Sequence, residues 1–69
     1  MSRIREVREA KGIRKEELAA MSGLSFSLVS SVERGDHTPS LKNSRRLAEA
    51  LGVSVDDLFP PAESAEVGA

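Results

Sequence analysis

"SGLSFSLVSSVERG", residues 22–35, is punctuated like the end of one helix and the whole of the next. Gly23 stands where a preceding helix stops, the Ser25 hydroxyl is placed to cap a new one, and Gly35 closes it. Within this helix Val29 and Val32 mark an inward stripe. The other face carries Ser27, Ser30, Ser31 and Arg34, with Phe26 at its leading end. A solvated helix face usually carries long charged residues, which form helix better than serine. A face of small hydroxyl residues lets the helix approach another surface closely. Phe26, one residue past the cap, is too exposed a position for ordinary core, and Met21 adds a second apolar side chain nearby.

The same reading extends in both directions and yields helices with no strand. The first helix covers Ser2 to Lys11, with Ile4, Val7 and Arg8 on one face and Gly12 after it. The second runs from about Arg14 to Ser22, with Leu18, Ala19 and Ser22 inward. After the Ser25–Arg34 helix, Pro39 biases Thr38 away from helical angles, so that Ser40 caps a fourth helix, Leu41 to Leu51. That helix is expected to bury Leu41, Leu47, Ala48 and Leu51. Ser54 caps a last short helix, "VDDLF", whose aspartates lie near its positive end. The fold class is all-α, five helices over residues 1–60, with residues 61–69 expected as a disordered tail. The connection between helices two and three is too short to lay them antiparallel, so they should cross steeply, as in a helix-turn-helix.

Bulk composition narrows the function classes. The chain has 69 residues and a net charge of −1, but its tail holds two glutamates, leaving nine acids against ten bases in residues 1–60. A local basic patch fits these numbers; a strongly basic protein does not. Two phenylalanines with no Trp or Tyr argue against binding single strands by base stacking. There is no cysteine and one histidine, His37, beside Asp36 in a loop. No nucleophile–base pair and no compact ligand set can be assembled from these residues, so no enzyme activity, metal or cofactor is expected. No apolar run reaches membrane-spanning length and the N-terminus is charged from Arg3, so a cytoplasmic protein with no membrane partner is expected.

Two charges fall on inward stripes. Arg8 is four residues after Ile4, and Glu33 is four after Val29. An isolated buried charge costs several kcal/mol, so each is expected to be the other's partner, the alternative being that both reach water at the edge of the stripe.

Residues 4–59 resemble the helix-turn-helix DNA-binding domain of the phage Cro and CI repressor type. The motifs carrying the resemblance are "REAKG", "EELAAMSGLS", the spacing Val29–Val32–Glu33–Gly35, "TPS" and "LAEALGVS". It implies five helices, a transcriptional regulator, double-stranded DNA as partner and a homodimer on an inverted-repeat operator. The family's arginine–glutamate pair between helices one and three falls on Arg8 and Glu33. Helix three enters the major groove, which places base contacts at Phe26, Ser27, Ser30 and Ser31. Phosphate contacts fall on Arg14, Lys15, Arg34, His37 and Lys42.

The departures from the family pattern are informative. Helix two usually begins with a Ser or Thr cap followed by Gln; here Arg14 and Lys15 stand there. Ser44 and Arg45 replace apolar residues of helix four. The reading head, Phe26, Ser27, Ser30 and Ser31, lacks the Arg, Gln and Asn that make bidentate base contacts. Specificity is therefore expected to draw on close approach, contact of Phe26 with thymine methyl groups and DNA shape. The competing reading is a protein-interaction module, antitoxin-like or sequestered by a regulatory protein, in which Met21 and Phe26 dock a partner. A dimer is expected through Val55 and Phe59, four residues apart on the short last helix, on the argument that this pair has no partner within its own chain.

Overall fold

The computed structural model describes residues 2–60 and consists there of five helices joined by short turns. They are α1 (Ile4–Ala10), α2 (Lys15–Ser22), α3 (Phe26–Arg34), α4 (Leu41–Leu51) and α5 (Val55–Leu58). Both ends of α1 and the start of α2 are a residue or two shorter than expected, and Phe59 is the cap that ends α5. The expected tail, 61–69, lies outside the described residues.

Each helix contributes apolar side chains to one core. Ile4, Leu18, Val29, Leu47 and Leu58 are fully buried there, with Val32, Ala48 and Leu51 around them. α2 packs on α3 and α4, while α5 packs on α4. The segment before α1 is tied to the end of α5, because the Arg3 amide donates to the Leu58 carbonyl at 2.7 Å.

Local chemistry sets the boundaries. Ser25, Ser40 and Ser54 each accept from a backbone amide three residues on, at 3.1–3.2 Å, relieving one of the unpaired amides at a helix start. At α5 the bond is reciprocal, since Asp57 Oδ2 accepts from the Ser54 amide at 3.1 Å. These bonds to Ser54 hold the exposed Asp57 carboxyl below its ordinary pKa. At α2 the capping residue is Arg14, which has no acceptor atom. Only the return half forms, with Glu17 Oε1 accepting from the Arg14 amide at 2.8 Å. Gly23 ends α2 at φ +75°, a left-handed conformation that costs an L side chain about 1–2 kcal/mol. Arg46 of α4 lies across it, with Nη1 3.3 Å from where a Cβ would stand.

Two expectations about packing are corrected. Leu41 is 61% exposed. As the first residue of α4 it lies beyond the edge of the core, and Pro39 is the buried residue at that end. Val55 and Phe59 do have partners in their own chain. Both are half-buried against the core, and Phe59 shares a recess with Ser2, Val32 and Pro39. Ser44 is buried on the inner side of α4.

Candidate nucleic-acid interface

α3 is fixed in orientation by an ion pair at its inner edge. Arg8 Nε and Nη2 donate to the two carboxylate oxygens of Glu33 at 2.7 and 3.1 Å, and Nη1 donates to the Ile13 carbonyl at 2.8 Å. The two side chains are 10% and 5% exposed. The hydrogen bonds to Glu33 hold the Arg8 guanidinium above its ordinary pKa. This two-pronged bond joins α1 to the last turn of α3 and reaches the segment before α2, so three elements share one charged joint.

The outer face of α3 is then presented by difference. Val29 and Val32 point into the core, Phe26 is 49% exposed at the leading end, Ser27 is exposed, and Ser31 is half-buried. Ser30 departs from the sequence expectation. It is buried, because it lies one turn before Glu33 on the flank turned toward α1. There it lines a recess with Arg5, Arg8, Lys15, Glu33 and Arg34. A serine behind Lys15 and Arg34 is not a surface group, so Ser30 leaves the set of outward-facing residues.

Around this face the structure brings some of the basic residues together and leaves others apart. The Lys15 ammonium stands 5.5 Å from the centroid of the Phe26 ring, a favourable cation–π distance. That contact couples the start of α2 to the start of α3. Arg34 Nε donates to Asp36 Oδ2 at 2.9 Å, and Arg34 Nη2 donates to Ser31 Oγ at 3.5 Å. Arg14 and Lys42 are exposed, and among the described residues the Arg14 guanidinium pairs with the neighbouring Glu16 at 3.9 Å. His37 is exposed and lines the recess of Phe59 rather than that of Lys15 and Arg34. Two residues that sequence reasoning passed over adjoin this face: Asp36, which engages Arg34, and Arg46, which lies over the turn between α2 and α3. Asp36 was legible only as an acid two residues after an arginine; nothing in the pattern indicated that the turn at Gly35 would fold it back.

A short helix–turn–helix pair, with a polar and hydroxyl-rich second helix held outward by a buried ion pair, is the architecture of a module that lays a helix against another surface. The helix-turn-helix family model matches residues 4–58. An uncharacterized HTH-type transcriptional regulator of Sinorhizobium fredii, y4dJ, is 39% identical over 67 residues, covering 97% of this chain and 87% of that protein. YazB of Bacillus subtilis, an uncharacterized HTH-type transcriptional regulator, is 39% identical over 59 residues, covering 86% of each. Among solved structures, the restriction-modification controller protein C.AhdI from Aeromonas hydrophila superposes with a TM-score of 0.77 at 47% identity, covering 80% of this chain and 83% of that one. The hypothetical transcription factor NHTF from Neisseria gives 0.75 at 40% identity, covering 93% and 75%. The chain belongs to the helix-turn-helix family of the Cro and CI type, a family of DNA-binding transcriptional regulators.

Proposed function

We propose that this chain is a sequence-specific regulator that binds an inverted-repeat operator as a homodimer, with α3 in the major groove of each half-site. The observation that carries the reading is the outer face of α3. Phe26 and Ser27 are exposed there, Ser31 is partly so, and the Arg8–Glu33 pair holds the helix from behind. Short hydroxyl side chains bring the helix backbone close to base edges. Phe26 supplies an apolar contact suited to a thymine methyl, the feature that separates thymine from cytosine in the major groove. Arg14, Lys15 and Lys42 supply charge for the flanking phosphates, with His37 as a fourth donor in the α3–α4 loop.

Dimerisation is assigned to the α5 side, through the outer halves of Val55 and Phe59. Because both also pack inward, the exposed apolar area is modest, and the dimer is expected to be weak until DNA holds the two copies together. The chain acts in the cytoplasm as a repressor or autoregulator. Its likeness to a restriction-modification controller protein supports a regulatory role.

Fluorescence anisotropy on an operator duplex across salt concentration tests this. The three Lys and Arg contacts per copy give a dimer about six, and a slope of log affinity against log salt of roughly −5 at about −0.9 per contact. Sedimentation of the parent and of Val55→Glu, with and without a palindromic duplex, tests the dimer. A flat salt dependence would transfer the face of Met21, 54% exposed, and Phe26 to a protein partner instead.

A further inference from the structure

Arg34 is the last residue of α3, a position from which an arginine could extend outward to a phosphate. Its guanidinium is instead turned back along the helix. The cause lies in the turn that follows. Gly35 adopts φ +83°, and the Asp36 amide donates to the Ser31 carbonyl at 2.9 Å. This is the six-to-one bond that closes a helix with a left-handed glycine. It fixes the Asp36 backbone against the last turn of α3, and Asp36 Oδ2 accepts from Arg34 Nε at 2.9 Å. Arg34 Nη2 then lies 3.5 Å from Ser31 Oγ, one turn back on the reading face.

We propose that Asp36 is a positioning residue that holds Arg34 and Ser31 together as a guanine-reading pair in the major groove. The inference rests on the DNA-reading role assigned to α3 above. With Nε committed to Asp36, the remaining Nη protons form the end of a planar fork, the geometry that meets two acceptors at once. Ser31 has its polarity set as well. A hydroxyl that accepts from Arg34 through one lone pair leaves its own proton free to point outward, so Ser31 can donate to a base edge. The groups this half of the face turns toward a base, the Arg34 fork and the Ser31 proton, are donors. Guanine is the base whose major-groove edge offers two acceptors, N7 and O6, with no donor; adenine and cytosine each present an amino group. Phe26 at the other end selects a methyl group, so a half-site is read as an apolar contact followed by a guanine. Asp36 also adds a negative charge near the DNA backbone, which weakens binding to sequences that give Arg34 nothing to pair with.

The test is selection from a randomised duplex library with the full chain, followed by affinities for the selected site and for random duplex. The parent should enrich one guanine per half-site at a fixed position. Arg34→Lys keeps the charge and loses the fork, so its guanine preference should fall by about tenfold, with the salt slope unchanged. Asp36→Asn should lose several-fold of that preference while binding random duplex as well as the parent or better. Replacing that guanine with 7-deazaguanine, which lacks the N7 acceptor, should weaken the parent by more than it weakens Arg34→Lys. The proposal is overturned if Arg34→Gln weakens all duplexes alike, lowers the salt slope by about one per copy and keeps the guanine. It is equally overturned if Asp36→Asn keeps the parent's preference, or if the parent binds duplex DNA without enriching any base. A parent that binds no duplex at any salt concentration would instead refute the DNA-reading role itself.

Discussion

Removing the Glu33 carboxylate should be the most damaging single change outside the apolar core. In Glu33→Ala, Arg8 keeps the Ile13 carbonyl at 2.8 Å and has Glu9 at 4.0 Å, but loses both bonds that satisfied its Nε and Nη2. Breaking a buried pair from one side costs about 3–5 kcal/mol, because the other charge stays desolvated. The two surviving contacts place this case near the lower end, about 3 kcal/mol. In a domain of this size each kcal/mol moves the melting temperature by about 4–8 °C, so the variant should melt roughly 12–24 °C below the parent. A combined Arg8→Met, Glu33→Leu variant leaves no stranded charge and should recover most of the loss. Thermal melts followed by circular dichroism, supported by urea titration with the slope compared across variants, give the numbers. The reasoning fails if Glu33→Ala melts within a few degrees of the parent, or if the double variant is no better than the single.

Phe26→Ala should lower stability by at most about 1 kcal/mol, the cation–π contact with Lys15 included; operator affinity should fall more than affinity for random duplex, as anisotropy on both would show. Gly23→Ala should cost roughly 1–2 kcal/mol for the left-handed conformation, and its Cβ would meet Arg46 Nη1 at 3.3 Å. Arg46→Ala in the same background relieves only the second contribution, as melts of the three variants would reveal. For Asp57 the folded pKa lies below the unfolded value of about 3.9, so its ionised form stabilises the fold above that pH. The contribution is lost as pH falls through the folded pKa. Asp57→Asn should therefore melt below the parent at neutral pH, and the gap should close on acidification.

The fold was legible because its punctuation is local. Ser25, Ser40 and Ser54 cap, Gly23 and Gly35 stop, and the apolar stripes between them need no long-range knowledge. The Arg8–Glu33 pair was legible for a related reason, since a charge on a buried stripe requires a partner and the sequence holds one such charge of each sign. Leu41 and Phe59 were misjudged because periodicity gives direction around a helix but not where the core ends. Leu41 lies beyond the rim and is exposed, while Phe59 finds a recess made by Ser2, Val32 and Pro39, far from it in sequence. Ser30 was misplaced by its neighbours: in a run of serines, only the packing of α1 against α3 decides which hydroxyl is covered. The role of Asp36 was illegible for a further reason, since it depends on how a left-handed turn returns the chain upon its own helix.

The central claim is that the outer face of α3 reads duplex DNA. Its most direct test is a titration of isotopically labelled full-length chain with a selected palindromic duplex, followed by two-dimensional NMR of amide and arginine side-chain resonances. The account predicts the largest shifts at Phe26, Ser27, Ser31 and the Arg34 Nε, with smaller ones at Arg14, Lys15 and Lys42, and little change in Ile4, Leu18 and Leu47. Shifts centred elsewhere, or a spectrum that leaves α3 unmoved while the duplex is bound, would contradict it.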